Sequence, residues 1–321
     1  MKSSILKERI KKIKLRNYVI YICFLLLLLV FAIILRDTQF LSVNNIMNIL
    51  RQTAMISVMA VGMTFVISAG EIDLSIGSIV ALSAMCSAKV VDMTNNIFLA
   101  FLSALAIGII FGGLNGLLIT KVRIPSFLVT MGTEGIALGL ARIVTDLQAV
   151  SIVNSKYNFI FGSGSVGIVS ILFIWTIVIT FIGYILYNKT SFGRSVLAVG
   201  GNRAAARYSG VKTDKIRIIV MMISGITASI AACLYTGRLH GARYTLGEDD
   251  VMNVIAAVVI GGTSFSGGKG TIIGALFGSI IMGMLNNGLL LVGLSVSEQM
   301  IARGIIIILA VSLSLREKKS V

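Results

Sequence analysis

Two acidic residues, Glu71 and Asp73, stand in an otherwise apolar part of the sequence, and Ser75 follows them. A carboxylate in hydrocarbon is energetically costly, so we expect both to face a bundle interior, a cavity or the membrane interface. Two interpretations stay open. The carboxylates line a gate or path, paired with a base or with backbone amides at a helix start, or Asp73 caps that helix together with Ser75 and Ser78. The residue types favour the cap for Asp73, and the two uses are compatible.

Glu134 is the deepest acidic residue of the sequence, within the apolar stretch MGTEGIALGLAR. Arg51 or Arg303 could pair with it, and such a pair would fix helix packing as well as it would line a path. The amides of Asn115 and Asn286 lie among glycines in apolar runs. They could hydrogen-bond a polyol, although bridging two helices is the commoner use of such residues.

The sequence contains no cluster that is typical of catalysis or of metal binding. His240 is the only histidine, and the three cysteines have no CxxC spacing. The stretch GTSFSGGKG resembles a phosphate-binding loop, but that pattern requires glycine where Thr263 stands and serine or threonine where Gly270 stands. We therefore expect no enzyme activity, no cofactor and no metal on this chain, and energy must come from a partner chain or an ion gradient.

The chain has 321 residues, of which 56% are hydrophobic and 13% charged, and its mean hydropathy is +0.97. This composition predicts an all-α polytopic membrane protein, since apolar helices satisfy their backbone polar groups internally. The net charge of +15 lies in short segments that flank apolar runs. Nucleic-acid binding is excluded because no basic face is combined with stacking aromatic residues.

The basic segments set the predicted topology, because loops rich in Lys and Arg stay in the cytosol. We expect both termini in the cytosol and residues 44–52 along the outer surface. The predicted parts are a basic tail at 1–17, a first half with six spans at 18–187, a cytosolic loop at 188–217, a second half with four spans at 218–315 and a tail at 316–321. The ten spans are predicted at 18–35, 50–69, 74–91, 97–119, 125–144, 165–187, 216–237, 251–262, 271–292 and 298–315.

An internal repeat relates the two halves. GEIDLSIGSIVAL, from Gly70, resembles GEDDVMNVIAAVV, from Gly247, and GIIFGGLNGLLI resembles GSIIMGMLNNGLLL, which places Asn115 over Asn286. Spans two to five then repeat as spans seven to ten, in opposite orientation because an odd number of spans separates equivalents. Inverted repeats with interrupted spans are typical of transporters, with the substrate path between them. The residues expected to form that path or its gate are Glu71, Asp73, Ser75, Asn115, Glu134, Asn253 and Asn286.

The polar segment 188–217 separates the two apolar halves and carries seven basic residues against one acidic residue, Asp214. Its centre, NRAAARYS, predicts a short helix, because three alanines favour helix, Asn202 is a suitable N-cap and glycines flank it. A short helix under the membrane suits a docking element for a cytosolic partner. The alternative is a basic loop that fixes topology and contacts lipid headgroups, and the helix pattern favours docking.

Four motifs resemble, in order, those of the ribose-type permeases of bacterial ABC importers. They are GEIDLSIGS, GGLNGLLITKVRIPSFLVTMGT, GRSVLAVGGNRAAARYSGV and VVIGGTSFSGGKGTIIGALFG. The resemblance covers nearly the whole chain from about residue 45 onwards. It implies a multi-pass permease of the bacterial cell membrane that imports a sugar.

The resemblance also implies partners. These are a second permease copy or a related permease with the path at the dimer centre, a separate cytosolic ATPase with two nucleotide-binding halves that holds ATP and Mg, and an extracytoplasmic sugar-binding protein. In such permeases the cytosolic loop carries a coupling helix that docks on the ATPase. Carried over to this sequence, that contact comprises Gly200, Asn202, Arg203, Ala205, Arg207, Tyr208 and Gly210. The family motif is usually GGIDLS, so Glu71 departs from it.

The resemblance implies that closure of the ATPase halves moves the docked helices and rocks the two permease copies between outward and inward openings. We expect an uncharged sugar, ribose or a related monosaccharide, because the path candidates are mainly hydroxyl and amide groups. The alternative is an ion-gradient-driven secondary transporter of a small polar solute. It would need titratable residues dedicated to proton or sodium coupling, for which Glu134 is the candidate.

Overall fold

The protein is described from a computed structural model that covers residues 19–36, 38–295, 297–302, 304–305 and 308. The predicted tails, 1–17 and 316–321, lie outside these residues, as do Arg303 and much of the last predicted span. The helices are α1 (Val19–Ile34), α2 (Val43–Ser68), α3 (Ile76–Thr94), α4 (Ile97–Leu117), α5 (Ser126–Val144), α6 (Ser155–Asn158), α7 (Ile171–Asn188), α8 (Ser191–Gly201), α9 (Arg203–Tyr208), α10 (Thr213–Leu239), α11 (Asp250–Ile260) and α12 (Ile272–Leu291). Leu118–Val122 and Phe159–Ser163 are π-helical, and helical residues also follow from 297.

Seven helices of the described residues are long and apolar enough to cross a membrane. They are α2, α3, α4 with its π-helical extension, α5, α7, α10 and α12, while α1 and α11 are shorter apolar helices. The predicted class, an all-α polytopic membrane protein, is confirmed. The short span predicted at 251–262 corresponds to α11.

Helices α2, α3 and α10 form the centre of the bundle. In their most apolar stretches 83%, 72% and 67% of the residues are buried, against 28% in α4, α5 and α7, so the latter three present most of their surface outwards. Helices α2 and α10 approach closely because Gly62 has no side chain. A Cβ there would lie 2.1 Å from Thr227 Oγ1 and 3.0 Å from Ser224 Cα. Small residues at such contacts are typical of membrane bundles.

Glycines at intervals of four residues bring α4 against α10. A Cβ added at Gly108, Gly112 or Gly116 would approach α10 backbone atoms to 2.1, 2.4 and 2.6 Å, respectively. In return, a Cβ at Gly225 of α10 would lie 2.0 Å from Gly108 O. Because residues four apart share a helix face, the three glycines form one continuous contact with α10.

Helix α12 packs on α2 and α11. A Cβ at Gly278 would lie 2.0 Å from the backbone of α11, so the two helices are in close contact there. Ser57 and Ser279 share a buried hydrogen bond of 2.6 Å between α2 and α12. Nearer the start of α2, Asn45 and Asn287 exchange two side-chain hydrogen bonds of 2.9 and 3.0 Å. Polar side chains thus bridge helices that are otherwise apolar.

The two ends of the bundle are built differently. At one end, called the basic end because it carries the segment 188–212, α2 and α7 finish together. There Ser68 Oγ and Tyr187 OH share a hydrogen bond of 2.7 Å, and the loop after α11 joins them through Gly268 N–H, which donates to Ser68 O at 2.9 Å. At the opposite end, called the far end, β1 (Val150–Ser151) pairs antiparallel with β4 (Gly241–Ala242), and β2 (Ser165–Val166) with β3 (Val169–Ser170).

The helices differ from the predicted ones at two boundaries and in the short helices α6 and α8, which were not predicted. Residues 44–52, expected along the outer surface, are the first turns of α2, because Ser42 caps that helix with its side chain. The span predicted from 165 begins at Ile171, since the β2–β3 hairpin precedes it. Helix α8 was not predicted, although Thr190 is a good N-cap and accepts from the backbone of its first turn at 3.3 Å.

Candidate functional site

The chain between α2 and α3, residues 70–75, is called the break, and it carries three of the predicted path residues. Helix α2 ends in a left-handed turn at Gly70 (φ +76°). Gly70 N–H donates to Ile67 O at 3.0 Å, and Glu71 N–H donates to Val66 O at 3.1 Å. This pair of bonds satisfies carbonyls at the end of the helix and requires a residue that tolerates positive φ. The sequence therefore ends α2 at this glycine and turns the chain into the bundle.

Glu71 is 4% exposed and lies between two arginines. Its Oε1 accepts from Arg203 Nη2 at 2.6 Å and from Arg217 Nε at 2.5 Å. The Arg217 side chain is 10% exposed and the Arg203 side chain 45%. The expected pairing of this carboxylate with a base is confirmed, and the bases come from α9 and from the start of α10. A role for Glu71 in a path stays a prediction.

Asp73 is 1% exposed, and its hydrogen bonds fix the break to the surrounding helices. Oδ1 accepts from Ser75 N–H at 2.9 Å and from Ser75 Oγ–H at 2.6 Å. Oδ2 accepts from Ser224 Oγ–H of α10 at 2.6 Å. Asn115 of α4 donates to Ser75 Oγ at 2.9 Å. The expected cap is not formed, because no side chain accepts from the first turn of α3. Asp73 instead bonds the backbone and side chain of Ser75, the residue that precedes the helix.

The other predicted path amides have different surroundings. Asn253 is 5% exposed in α11 and donates to Asp249 O at 3.2 Å. Asn286 is half-buried in α12, and its Oδ1 is enclosed without a hydrogen-bond partner in the described part of the chain. Asn115 bridges α4 to the break, the commoner use of an amide in an apolar helix. Path roles for these three amides stay predictions.

Glu134 is half-buried on α5 and forms no ion pair with any described residue. Arg51 does not pair with it, and Arg303, the other expected partner, lies outside the described residues. Its electrostatic neighbours are the carboxylates of Glu248 and Asp73. No group of three or more His, Cys, Asp or Glu side chains within the described ranges could hold a metal ion.

Helix α9 lies at the basic end and exposes every residue except Ala206. Asn202 caps it by accepting from Ala205 N–H at 3.0 Å, and Gly210 ends it with a φ of +83°. Ala206 is 5% exposed, whereas Tyr208 is 92% exposed. The predicted short helix and its predicted cap are therefore confirmed. Most of its surface is free to meet another molecule.

Gly200, in the last turn of α8, lies in a narrow space. A Cβ there would lie 1.9 Å from Ser68 O and 2.7 Å from Gly268 N, so α8 ends wedged between α2 and the loop after α11. Of the residues expected to contact an ATPase, Gly200 thus lies against its own bundle. The others are exposed at the basic end: Asn202, Arg203, Ala205, Arg207, Tyr208 and Gly210.

Two residues of the site, Arg217 and Ser224, do not stand out in the sequence. Arg217 resembles the other loop charges, and Ser224 is one small residue in an apolar helix. The sequence signal that could have identified them is their spacing. Arg217, Met221 and Ser224 follow i, i+4, i+7 and therefore share a helix face. That face of α10 meets Glu71 at the start of the break and Asp73 two residues later.

Comparison with known proteins identifies the family. A family profile described as branched-chain amino acid transport system / permease component matches residues 45–311. The ribose import permease protein RbsC of Bacillus subtilis (strain 168) is 39% identical over 296 residues, 92% of this chain and 91% of the relative. RbsC of Haemophilus influenzae is 40% identical over 293 residues, 90% of each chain. The galactose/methyl galactoside import permease protein MglC of Escherichia coli (strain K12) is 35% identical over 314 residues, 92% of each. No solved structure matches the chain.

These matches run through the break, α9 and both halves of the bundle, so they concern the whole architecture and not one motif. The resemblance to ribose-type permeases is confirmed. Together with the seven helices of the described residues that are long and apolar enough to cross a membrane, it makes the protein a multi-pass protein of the cytoplasmic membrane. The chain therefore belongs to the permease family described as the permease component of the branched-chain amino acid transport system, a family of transport permeases and not of enzymes.

Proposed function

We propose that the chain forms the translocation path of an ATP-driven importer for a neutral monosaccharide of the ribose class. The observation that carries the proposal is the identity of 39–40% to ribose import permeases over 90–92% of the chain. The galactose permease is 35% identical, so ribose is the first sugar to test and galactose the second. The family description names branched-chain amino acids, but these relatives, which match nearly the full chain, are sugar permeases.

An uncharged substrate also suits the chemistry around the break. The Glu71 carboxylate is neutralised by two arginines, and the Asp73 carboxylate accepts hydrogen bonds from two serines. Both carboxylates thus have hydrogen-bonding capacity taken up by the protein's own side chains, which leaves them poorly placed to bind an ionic substrate directly. Hydroxyl and amide groups, such as the half-buried Asn286, have the donors and acceptors that sugar hydroxyls require. The amide and hydroxyl groups among the proposed path residues, rather than the carboxylates, are therefore the groups expected to bind the sugar.

The ATP-driven step belongs, in this proposal, to partner chains. Helix α9 docks on a separate ATPase that holds ATP and Mg, with Arg207 and Tyr208 in the contact because both project from the basic end. A second permease copy, or a related permease, completes the path at the dimer centre. An extracytoplasmic binding protein delivers the sugar at the far end. The failure of GTSFSGGKG to match a phosphate-binding loop supports a separate ATPase.

The proposed topology has ten spans, both termini and the basic end in the cytosol, and an inverted repeat of spans two to five. The excess of basic residues in 188–217 supports the orientation. Equivalent helices pack in equivalent pairs, which supports the repeat. Span four (α4) of the first repeat packs on span seven (α10) of the second, and the equivalent span nine (α12) packs on the equivalent span two (α2). A further support is the contact between two interrupted spans. Gly77 at the start of α3 lies against Gly247 just before α11, where an added Cβ would be 2.3 Å from Gly247 O.

Cysteine labelling tests the orientation. In a chain whose native cysteines are replaced by alanine, we expect Lys156→Cys and Arg243→Cys to react with a membrane-impermeant maleimide added outside. Arg203→Cys should react only after permeabilisation, because all three positions are exposed but lie at opposite ends. The reverse labelling pattern would overturn the topology without affecting the family.

Reconstitution tests the function. The chain is inserted into proteoliposomes with the ATPase encoded beside it, and ATP hydrolysis is measured with the neighbouring binding protein, with and without D-ribose or D-galactose. We expect stimulation by ribose-loaded binding protein above the sugar-free level. Uptake that collapses with an ionophore at constant ATP, or failure of any ATPase to associate, would contradict the proposal and favour a gradient-driven transporter.

A further inference from the structure

We infer that Glu71 is the positioning residue through which helix α9 moves the break, so that docking at the basic end reaches the buried polar network at the start of α3. The inference rests on the proposed function, because it takes α9 as the helix on which the ATPase docks. Its basis is one shared atom. Glu71 Oε1 accepts hydrogen bonds from both Arg203 of α9 and Arg217 of α10.

The two arginines on this carboxylate are not equivalent. Arg217 is 10% exposed and belongs to α10, one of the central helices, so it holds Glu71 to the body of the bundle. Arg203 is 45% exposed and is the first residue of α9. The other described ion pair of α9 joins Arg207 to Asp214 at 3.4 Å, with side chains 66% and 40% exposed. Only the Arg203 pair connects α9 to a buried acceptor among the described residues.

The break is short and stiff enough to carry a displacement from Glu71 onwards. Two peptide units separate Glu71 from Asp73, and each fixes consecutive Cα atoms at about 3.8 Å. Ile72 N–H donates to Ser126 Oγ of α5 at 3.1 Å. Asp73 then bonds Ser75 and, across to α10, Ser224. A shift of Glu71 therefore changes the positions of groups that contact α5, α10 and the start of α3.

The contact at Gly200 explains why an ion pair is needed in addition to packing. Gly200 is pressed between Ser68 and Gly268, so movement of α8 and α9 towards the bundle pushes directly on the end of α2 and on the loop after α11. Packing contacts transmit compression and are lost under tension. The Arg203–Glu71 pair is a charge-assisted hydrogen bond of 2.6 Å and also transmits a pull. Together they let α9 drive the break in both directions.

The test removes the bond between Arg203 and Glu71 and leaves the buried pair of Glu71 and Arg217 in place. Arg203→Gln retains Glu71 with Arg217, and the matched control Arg194→Gln changes an exposed arginine of α8 that has no ion pair among the described residues. D-Ribose transported per ATP hydrolysed is measured in assembled complexes with the ATPase and ribose-loaded binding protein. We expect Arg203→Gln to lower this ratio by about fivefold or more, the usual lower range of coupling between sites. Arg194→Gln should keep the wild-type ratio, and Arg203→Lys should restore part of the loss.

A double substitution shows whether Glu71 and Arg203 act through their shared contact or affect transport independently. If Glu71 and Arg203 act through one contact, Glu71→Gln combined with Arg203→Gln lowers the ratio no further than Glu71→Gln alone. Additive losses, or an Arg203→Gln ratio equal to that of Arg194→Gln, would overturn the inference. These outcomes presuppose a wild-type complex that ribose or galactose stimulates. If the wild-type complex is not stimulated, the proposed function fails and the inference fails with it.

Discussion

The break at 70–75 and helix α9 are both short polar segments between apolar helices, yet they are built in opposite ways. In the break, Glu71, Asp73 and Ser75 are buried, and their polar atoms bond to the surrounding helices. Helix α9 buries only Ala206, and its other residues are exposed, although the Arg203 side chain reaches back to Glu71. Enclosed polar groups in a membrane bundle must find partners within the protein, whereas exposed ones are available to another molecule. Burial, more than residue type, separates the two roles.

The same contrast is seen in two arginine–carboxylate pairs, and it gives the largest expected effect. Glu71→Leu removes the shared acceptor and strands the buried Arg217 charge, so the free energy of unfolding should fall by about 3–5 kcal/mol. Asp214→Leu breaks the exposed pair with Arg207 and should cost less than about 1 kcal/mol. Unfolding of both variants in detergent micelles by a denaturing detergent measures the difference. Equal losses would show that burial of the Glu71 pair does not matter.

The second-largest loss of stability is expected at Gly200, where α8, the helix before α9, packs against the end of α2, the helix before the break. Gly200→Ala places a Cβ 1.9 Å from Ser68 O, a backbone atom that cannot turn away, so we expect a loss of about 1–3 kcal/mol in the free energy of unfolding. Gly132→Ala is the matched control, because it lies in α5 with nothing within 4 Å of an added Cβ. That substitution should be neutral or stabilising, since alanine favours helix over glycine. Equal behaviour of the two variants would contradict the close packing at Gly200.

What the sequence predicts well in both regions is local. The cap at Asn202, the glycine that ends α2 and the serine that follows Asp73 act within a few residues, and each follows from residue type and spacing. The partners of the break are distant: 146 residues separate Glu71 from Arg217, and 151 separate Asp73 from Ser224. Those contacts depend on how α10 is rotated about its axis, which composition and charge do not determine.

Glu134 is a second case in which the sequence does not identify the neighbours of a polar side chain. An acid inside an apolar span suggests a basic partner, and Arg51 is one of few candidates in the sequence. The structure instead leaves Glu134 half-buried on the outward-facing helix α5, with other carboxylates as its electrostatic neighbours. Charge complementarity alone cannot choose a partner, because helix order and helix rotation decide which side chains can meet.

Within the break, the bond from Ser224 is expected to contribute less than the arginine pair. Ser224→Ala removes the donor to Asp73 Oδ2, while Oδ1 keeps its two bonds to Ser75, so we expect a loss of about 1–2 kcal/mol in the free energy of unfolding. Ser195→Ala on α8 is the control, since that hydroxyl bonds only the preceding turn of its own helix. The control should change stability by less than about 0.5 kcal/mol. A Ser224→Ala variant as stable as the control would mean that Asp73 finds another donor.

The smallest effect on stability is expected at the most exposed residue of α9. Tyr208 is 92% exposed, so Tyr208→Ala should change the free energy of unfolding by less than about 0.5 kcal/mol. Its effect should fall on binding, because an exposed aromatic residue on a docking helix is a typical interface anchor, and the affinity for the ATPase should weaken by about tenfold or more. Surface-immobilised permease titrated with the ATPase measures this. Ala206→Gln, on the buried face of the same helix, should instead lower stability. If Tyr208→Ala lowered stability and left the affinity unchanged, α9 would be a packing element like the break.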